Sequence, residues 1–239
     1  MHRFFTTEIQ QNTATVRGDD VKHIAKVLRL KSRDTIQLCD GNGRECEAVI
    51  RSIAADNVVC DTKEWVSSES EPNTRVTLFQ CLPKAGKMET ILQKCVELGA
   101  DRFVPVQSER CVVVLKPPYD SRIERWQRVC EEAAKQSRRG RIPVVEQPCA
   151  LNKLSFEGFS LVLVAYENER TVSLKAALKS AFCTDSIALL IGPEGGFSEQ
   201  EIDWLVSRSA KTVSLGSRIL RTETAGMAAL AQILYEVES

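Results

Sequence analysis

The rhythm of apolar and polar positions changes once along the chain. Up to about residue 65 the apolar runs are short. Thr35-Ile-Gln-Leu-Cys39 and Asn57-Val-Val-Cys60 predict strands, and Asp40-Gly-Asn-Gly43 supplies turn residues beside them. One helix interrupts, over Asp20–Arg29, with Val21, Ile24, Ala25 and Leu28 on one face. The polar stretch from Ser67 to Thr74 breaks every period and reads as a linker, dividing the chain into residues 1–70 and 71–239. Beyond it, strands and helices alternate. Val76–Leu82, Phe103–Gln107, Leu161–Tyr166, Ile187–Gly192 and Thr212–Leu215 predict strands, most of them apolar throughout, as strands buried on both faces are. Lys87–Leu98, Ser121–Gln136, Thr171–Ala181, Ser198–Ser207 and Thr224–Val237 predict helices. The second part is therefore an α/β domain with a largely parallel sheet.

Two of these helices carry more information. In Ser121–Gln136 the apolar stripe is Ile123, Trp126, Val129, Cys130 and Ala133, while Arg122, Arg125 and Arg128 mostly take the other side. The last helix is apolar almost all round, so it is buried on more than one side, against the sheet and a second subunit or as a central core helix.

Composition is that of a soluble globular protein, 43% hydrophobic and 27% charged, in 239 residues. Thirty-two basic residues balance thirty-two acidic ones, so attraction to a polyanion has to come from local patches. Residues 102–141 hold ten Lys/Arg against five Asp/Glu, and residues 1–34 seven against four. This segregation points to a nucleic-acid partner. The nine cysteines form no Cys-x-x-Cys pair, several lie in apolar runs, and neither a signal core nor a membrane-length apolar run is present. A reducing cytoplasm, without disulfides or membrane insertion, is the expectation.

The candidate chemistry lies in the second part. Gly41-Asn-Gly43 begins like a dinucleotide fingerprint, but Cys46 replaces the third glycine and a strand follows, so it is a hairpin turn. His2 and His23 are the only histidines, too few for a histidine-based metal site, and no metal is expected. Gly192-Pro-Glu-Gly-Gly196 follows an apolar strand directly, where open parallel sheets bind ligands, and Ser198 with Glu201 forms a capping box for the next helix. A tight strand-to-helix turn is the plainer reading of this tract alone. A second tract, Leu215-Gly216 to Thr224, also leaves a strand and opens a helix. Paired, the two make walls for one small-molecule site. Leu215, Ile219 and Leu220 suit an adenine face, and without a P-loop lysine the ligand is flat rather than strongly anionic.

These tracts resemble the signature of the SPOUT class of methyltransferases, and specifically of the RsmE family, which methylates N3 of a uridine in small-subunit (16S) ribosomal RNA. The resemblance extends to His23 with Val27-Leu28-Arg29, to Lys84-Ala-Gly-Lys87-Met-Glu89, to Gln93–Gly99, to Ser108-Glu109-Arg110 and to Glu132–Ser137. One departure is Ala85, where the pattern leads to expect glycine. The resemblance implies an α/β domain with a deep trefoil knot, a small N-terminal PUA-like β-barrel that binds RNA, and a homodimer with the cofactor near its interface.

The cofactor implied is S-adenosylmethionine, held by Ala165 at a strand end, by Gly192, Pro193, Glu194, Gly195 and Gly196, by Leu215, Gly216, Ile219 and Leu220, and by Arg221, Thr222 and Thr224. Uridine N3 carries a proton, so the reaction needs a base or a cation that stabilises the uridinate. Arg221, Glu194 and Glu223 are the candidates. Arg221 suits an electrostatic role, and Glu194 is either a base raised by burial or an orienting hydrogen-bond acceptor. Ribosomal RNA, free or in the assembled subunit, is the expected partner. His23, Arg29, Lys31, Lys84, Lys87, Arg110, Arg138 and Arg139 are its expected contacts. Alternatives are a methyltransferase of the same class acting on a ribose 2′-O or a tRNA base, a non-catalytic RNA-binding assembly factor, and a phosphate-binding enzyme.

Overall fold

The computed structural model describes residues 1–84 and 86–238, so Ala85 lies outside the described residues. The chain forms two compact units, one of Met1–Glu71 with Ala134–Ile142, the other of Pro72–Ala133 with the chain from Pro143 onward.

The first unit is a seven-stranded sheet of β1 (Arg3–Phe5), β2 (Glu8–Gln10), β3 (Thr13–Arg17), β4 (Thr35–Cys39), β5 (Arg44–Ile53), β6 (Asn57–Thr62) and β7 (Val66–Ser67). Its order is β1-β4-β5-β6-β3-β2, with β7 on β5 and only β1–β4 parallel. Alternate residues point inward, so Ile36, Leu38, Cys46, Ala48, Ile50, Val58 and Cys60 make one core with Val16 and Ile24. The turn after β4 is built on the Asp40 carboxylate, which accepts from the N–H groups of Asn42 (2.8 Å) and Arg44 (3.0 Å) and from Arg44 Nε (2.8 Å).

The helix expected over Asp20–Arg29 is not uniform. A short α1 (Asp19–Lys22) passes into a wider π-type turn at His23–Val27, where the Leu28 N–H reaches the His23 carbonyl at 2.9 Å. Ile24 stays buried while Val27 turns outward, 67% exposed. The chain leaves this turn through Arg29, at φ 54°.

The polar stretch at the boundary is not a free linker. Glu71 Oε1 accepts from the N–H groups of Gly140 (2.9 Å) and Arg141 (3.1 Å), and its Oε2 lies 2.7 Å from Arg139 Nη2. Ser70 Oγ donates to the Arg138 carbonyl at 2.8 Å. These bonds satisfy the backbone of residues 134–142 and fasten that segment to the first unit. Arg139, expected on the RNA face, is only 3% exposed and serves this anchor instead.

The second unit contains β8 (Arg75–Cys81), α2 (Lys87–Glu97), β9 (Arg102–Gln107), α3 (Asp120–Gln136, whose last turn counts with the first unit), β10 (Val144–Val145) and β11 (Cys149–Ala150). It continues with β12 (Leu161–Ala165), α4 (Leu174–Lys179), β13 (Ser186–Ile191), α5 (Glu199–Val206), β14 (Lys211–Val213) and α6 (Thr222–Val237). The sheet is parallel throughout, ordered β10-β9-β8-β13-β12-β14 with β11 also on β9. Strands β8, β12 and β13 are buried on both faces; β12 and β13 are almost wholly apolar, and β8 buries the polar Thr77 and Gln80 among apolar neighbours. The α5 capping box is present: Ser198 Oγ accepts from Glu201 N, and Glu201 Oε2 from Ser198 N. Helix α6 packs on α2, α4, β8 and β13 through Ala225, Gly226, Ala229, Leu230 and Ile233. It is not buried all round, because Thr224, Ala231 and Tyr235 stay exposed, Tyr235 by 77%. Among the described residues no helix is long and apolar enough to cross a membrane, and none of the nine cysteines is in a disulfide.

Removing one partner of a buried ion pair strands the other charge. The Glu71→Ala variant should therefore lose about 3–5 kcal/mol of stability, measured by denaturant unfolding. A loss below about 1 kcal/mol, the value of an exposed pair, would show that Glu71 does not anchor the returning segment.

Candidate functional site

Strands β12, β13 and β14 run parallel, with β12 in the middle, so the loops leaving their carboxyl ends emerge side by side. They enclose a cavity of about 490 Å³, a size that suits a small organic ligand. Residues 192–196 line it from the loop after β13 and residues 214–222 from the loop after β14, with Ala165 and Ile191 at the strand ends. Every residue expected to hold a cofactor lines this cavity except Thr224. Tyr166, Glu167, Arg170 and Arg218 line it as well, and were not foreseen. Position was the missing signal: Tyr166 and Glu167 directly follow β12, at the strand end where ligands bind.

The glycines have separate tasks. Gly196 has φ +67°, a left-handed conformation that side chains disfavour, and a Cβ there would push the Glu167 carboxylate aside. Gly216 has φ +121° and no atom within 4 Å of its missing Cβ. That leaves bare backbone and open space for a ligand to approach.

A buried polar bridge joins the two loops. The Thr222 hydroxyl donates to the Gly192 carbonyl (2.6 Å) and accepts from Gln80 Nε2 (2.9 Å), which also donates to the Cys81 carbonyl (3.0 Å). Gln80 is fully buried and Thr222 nearly so.

An ionic bridge reinforces it. Lys87 Nζ, expected to contact RNA, lies 3.0 Å from Glu194 Oε1 and 3.1 Å from Glu223 Oε2, and lines the cavity. Glu194 also accepts from the Lys84 N–H at 3.1 Å. Burial pushes the Glu194 carboxyl up, but the hydrogen bonds from Lys87 and the backbone outweigh it and leave the pKa below the ordinary value. The Glu223 carboxyl is lowered first by its backbone hydrogen bond at the start of α6; burial opposes this, and Lys87 and Arg221 lower it further. Lys87 is raised by its hydrogen bonds to both. Each carboxylate is therefore charged at neutral pH, opposite to what a general base raised by burial requires.

The loop after β9 braces the glycine tract. Arg110, another expected RNA contact, donates to the Gly195 carbonyl at 3.1 Å, and the Glu109 N–H reaches Glu201 Oε1 at 2.8 Å. Glu201 thus caps α5 and holds this loop. Arg170, Arg218 and Arg221 line the cavity; Arg170 and Arg218 have no acidic partner among the described residues, while the Arg221 charge helps to lower the Glu223 carboxyl.

Of the remaining expected RNA contacts, His23, Arg29, Lys31 and Arg138 are exposed in the first unit and Lys84 in the second. Among the described residues no group of three or more His, Cys, Asp or Glu is placed to hold a metal ion.

Comparison with known proteins gives concordant matches. Residues 69–234 match the RNA methyltransferase domain family and residues 16–63 the RNA methyltransferase PUA domain family. The chain is 36% identical over 250 residues to ribosomal RNA small subunit methyltransferase E of Bacillus subtilis, covering 100% of this chain and 98% of the relative. The enzyme of the same description from Synechocystis is 35% identical over 240 residues, covering 97% and 76%. Among solved structures, ribosomal RNA small subunit methyltransferase E from Neisseria gonorrhoeae bound to S-adenosyl methionine superposes with a TM-score of 0.83 at 30% identity, covering 98% of this chain and 97% of that one. A putative methyltransferase from Legionella pneumophila in complex with the same cofactor gives 0.76 at 26%, covering 98% and 96%.

The lowered carboxylates contribute stability that is present above their ordinary pKa of 4.5 and is lost as pH falls through their lower folded values. Lys87→Met removes the lysine's share of that contribution and leaves the share supplied by backbone hydrogen bonds. The melting-temperature gap between wild type and variant should therefore be widest at neutral pH and narrow below about pH 4.5, by thermal melts from acid to neutral pH. A gap independent of pH would refute the ionic bridge.

Proposed function

The chain belongs to the ribosomal RNA small subunit methyltransferase E family, and from that premise we propose that it methylates N3 of a uridine in small-subunit (16S) ribosomal RNA. It is an S-adenosylmethionine-dependent ribosomal RNA methyltransferase. The observation that carries the assignment is the cavity at the ends of β12, β13 and β14, walled by two glycine loops. S-adenosylmethionine fits these residues: bare backbone at Gly216, apolar Ile191, Leu215 and Leu220, and the carboxylate of Glu167 for a ligand that carries positive charge.

When bound, the cofactor supplies an electrophilic methyl group. The protein's own residues manage the uridine. Its N3 lone pair is free to react only once the N3 proton has left. Glu194 and Glu223, both held by Lys87, keep the two loops in position and stay ionised. Arg221, at the start of α6 on the cavity wall, where its charge also acts on Glu223, stabilises the uridinate electrostatically. The proton then passes to solvent rather than to a buried carboxylate.

The same reading includes a deep trefoil knot in the second unit, closure of the first-unit sheet into a PUA-like barrel, a cytoplasmic site of action and a homodimer. The exposed face of α6 at Thr224, Ala231 and Tyr235 supports the dimer.

Incubation with methyl-labelled S-adenosylmethionine and small ribosomal subunits or their RNA, followed by nucleoside mass spectrometry, should yield 3-methyluridine. A ribose-methylated product, or none, overturns the proposal. Arg221→Ala should lower kcat by about 10²–10³ with cofactor affinity by calorimetry nearly retained. Tyr235→Glu should convert a dimer to a monomer in sedimentation, and an unchanged dimer would place the interface elsewhere.

A further inference from the structure

A second cavity, of about 400 Å³, adjoins the cofactor site at Lys84, Gly86 and Lys87. Lys84 and Gly86 line this cavity, Lys87 lines the other, and the Lys84 N–H is bonded to Glu194 in the cofactor loop. None of the residues that line it belongs to the cofactor machinery described above, apart from Lys84 through its backbone.

Its chemistry is specific. Leu82, Pro83, Met88 and Trp126 are buried beneath it, and Val113 and Leu115 are half-buried along one side. From Cys111 to Leu115 burial alternates, so Val112 and Val114 stand 70% and 63% exposed beside the opening. Lys84, Arg122 and Arg125 supply positive charge. Arg125 is paired with Glu89 at 3.2 Å, which commits the cavity's one carboxylate, whereas Lys84 and Arg122 have no acidic partner among the described residues.

Apolar walls and uncommitted cations call for an occupant with a flat apolar face and an adjoining negative charge. A nucleotide has both, and single-stranded RNA presents its bases splayed out on apolar or aromatic surfaces with the phosphates on Arg and Lys. We propose that this cavity is a subsite for the base of a nucleotide neighbouring the target, with its phosphate on Arg122 and Lys84. The inference rests on the RNA-methyltransferase reading and assigns it a second point of substrate contact. It makes α3 a reader of the RNA beside the reacting base rather than a solvated basic surface.

The test uses the full chain and a fluorescein-labelled transcript of small-subunit ribosomal RNA, read by anisotropy. Arg122→Glu and Val113→Asp should each raise the Kd about tenfold, the scale of one lost base or phosphate contact. Arg122→Glu should also reduce the slope of log Kd against log salt by about one. Cofactor affinity by calorimetry should be unchanged. Arg122 is exposed, so that variant decides the matter should Val113→Asp melt early. A Kd within twofold of wild type for Arg122→Glu, or no RNA binding by wild type, overturns the subsite. So does a weaker Kd accompanied by dissociation of the oligomer in sedimentation, which would make the cavity an interface between copies of this chain. Failure of methyl transfer by wild type, assayed separately, tells against the functional reading and not against the subsite.

Discussion

The hydroxyl of Thr222 is the point on which the catalytic unit turns. It is buried, so both of its hydrogen-bonding roles need partners, and it finds them in the Gly192 carbonyl and the Gln80 amide. Gln80 sits inside β8, next to β13 in the middle of the sheet. One residue thus connects the sheet core, the loop after β13 and the first turn of α6. A glycine loop alone has many conformations to choose from, and ordering it costs entropy at each residue. Fixing Gly192 to a buried strand limits that freedom before any ligand arrives. Apolar side chains in the same positions would fill the space but leave the Gly192 carbonyl without this partner.

The ionic bridge around Lys87 repeats the logic nearer to solvent, and it changes what the charged residues mean. Lys87, Arg110 and Arg139 all read from sequence as RNA contacts, yet each is committed within its own unit: to Glu194 and Glu223, to the Gly195 carbonyl, and to Glu71. Other cations line cavities instead. Arg170, Arg218 and Arg221 face the cofactor cavity, and Lys84 and Arg122 the cavity beside it. Local charge excess therefore could not separate cations held in ion pairs and carbonyl contacts from those that line cavities. That separation depends on where acidic partners lie, and Glu71 is 68 residues from Arg139 in sequence.

Legibility followed the range of the interaction. The parallel strands were visible because strands buried on both faces are apolar throughout, as β12 and β13 are. The capping box of Ser198 and Glu201 was visible because it spans only three residues. The two glycine tracts were visible because positive φ and close approach restrict the residue type. Strand β5 was harder to see, because Arg44, Glu45 and Glu47 alternate with its small buried residues Cys46 and Ala48. The π-type turn after α1 was not legible, since its apolar spacing also fits an ordinary helix. Nor was the return of residues 134–142 to the first unit, which depends on bonds to Glu71 that no local pattern encodes.

The arrangement of charge also bears on the proposed methylation of uridine N3, a weakly acidic nitrogen. A carboxylate able to take a proton near neutrality must be destabilised in its charged form, by burial without compensating donors. Glu194 and Glu223 are treated in the opposite way, each given a shared lysine and backbone donors. Their negative charge is thereby fixed and largely balanced by Lys87, so it offers little opposition to an anion forming nearby. The arginines lining the cavity then leave a net positive field, oriented before reaction, which under the proposed reaction would meet the charge of a uridinate. In such a site the proton's destination matters less than the stability of what it leaves behind. The same pair of loops can then serve both as scaffold for the cofactor and as the electrostatic environment of the nucleophile.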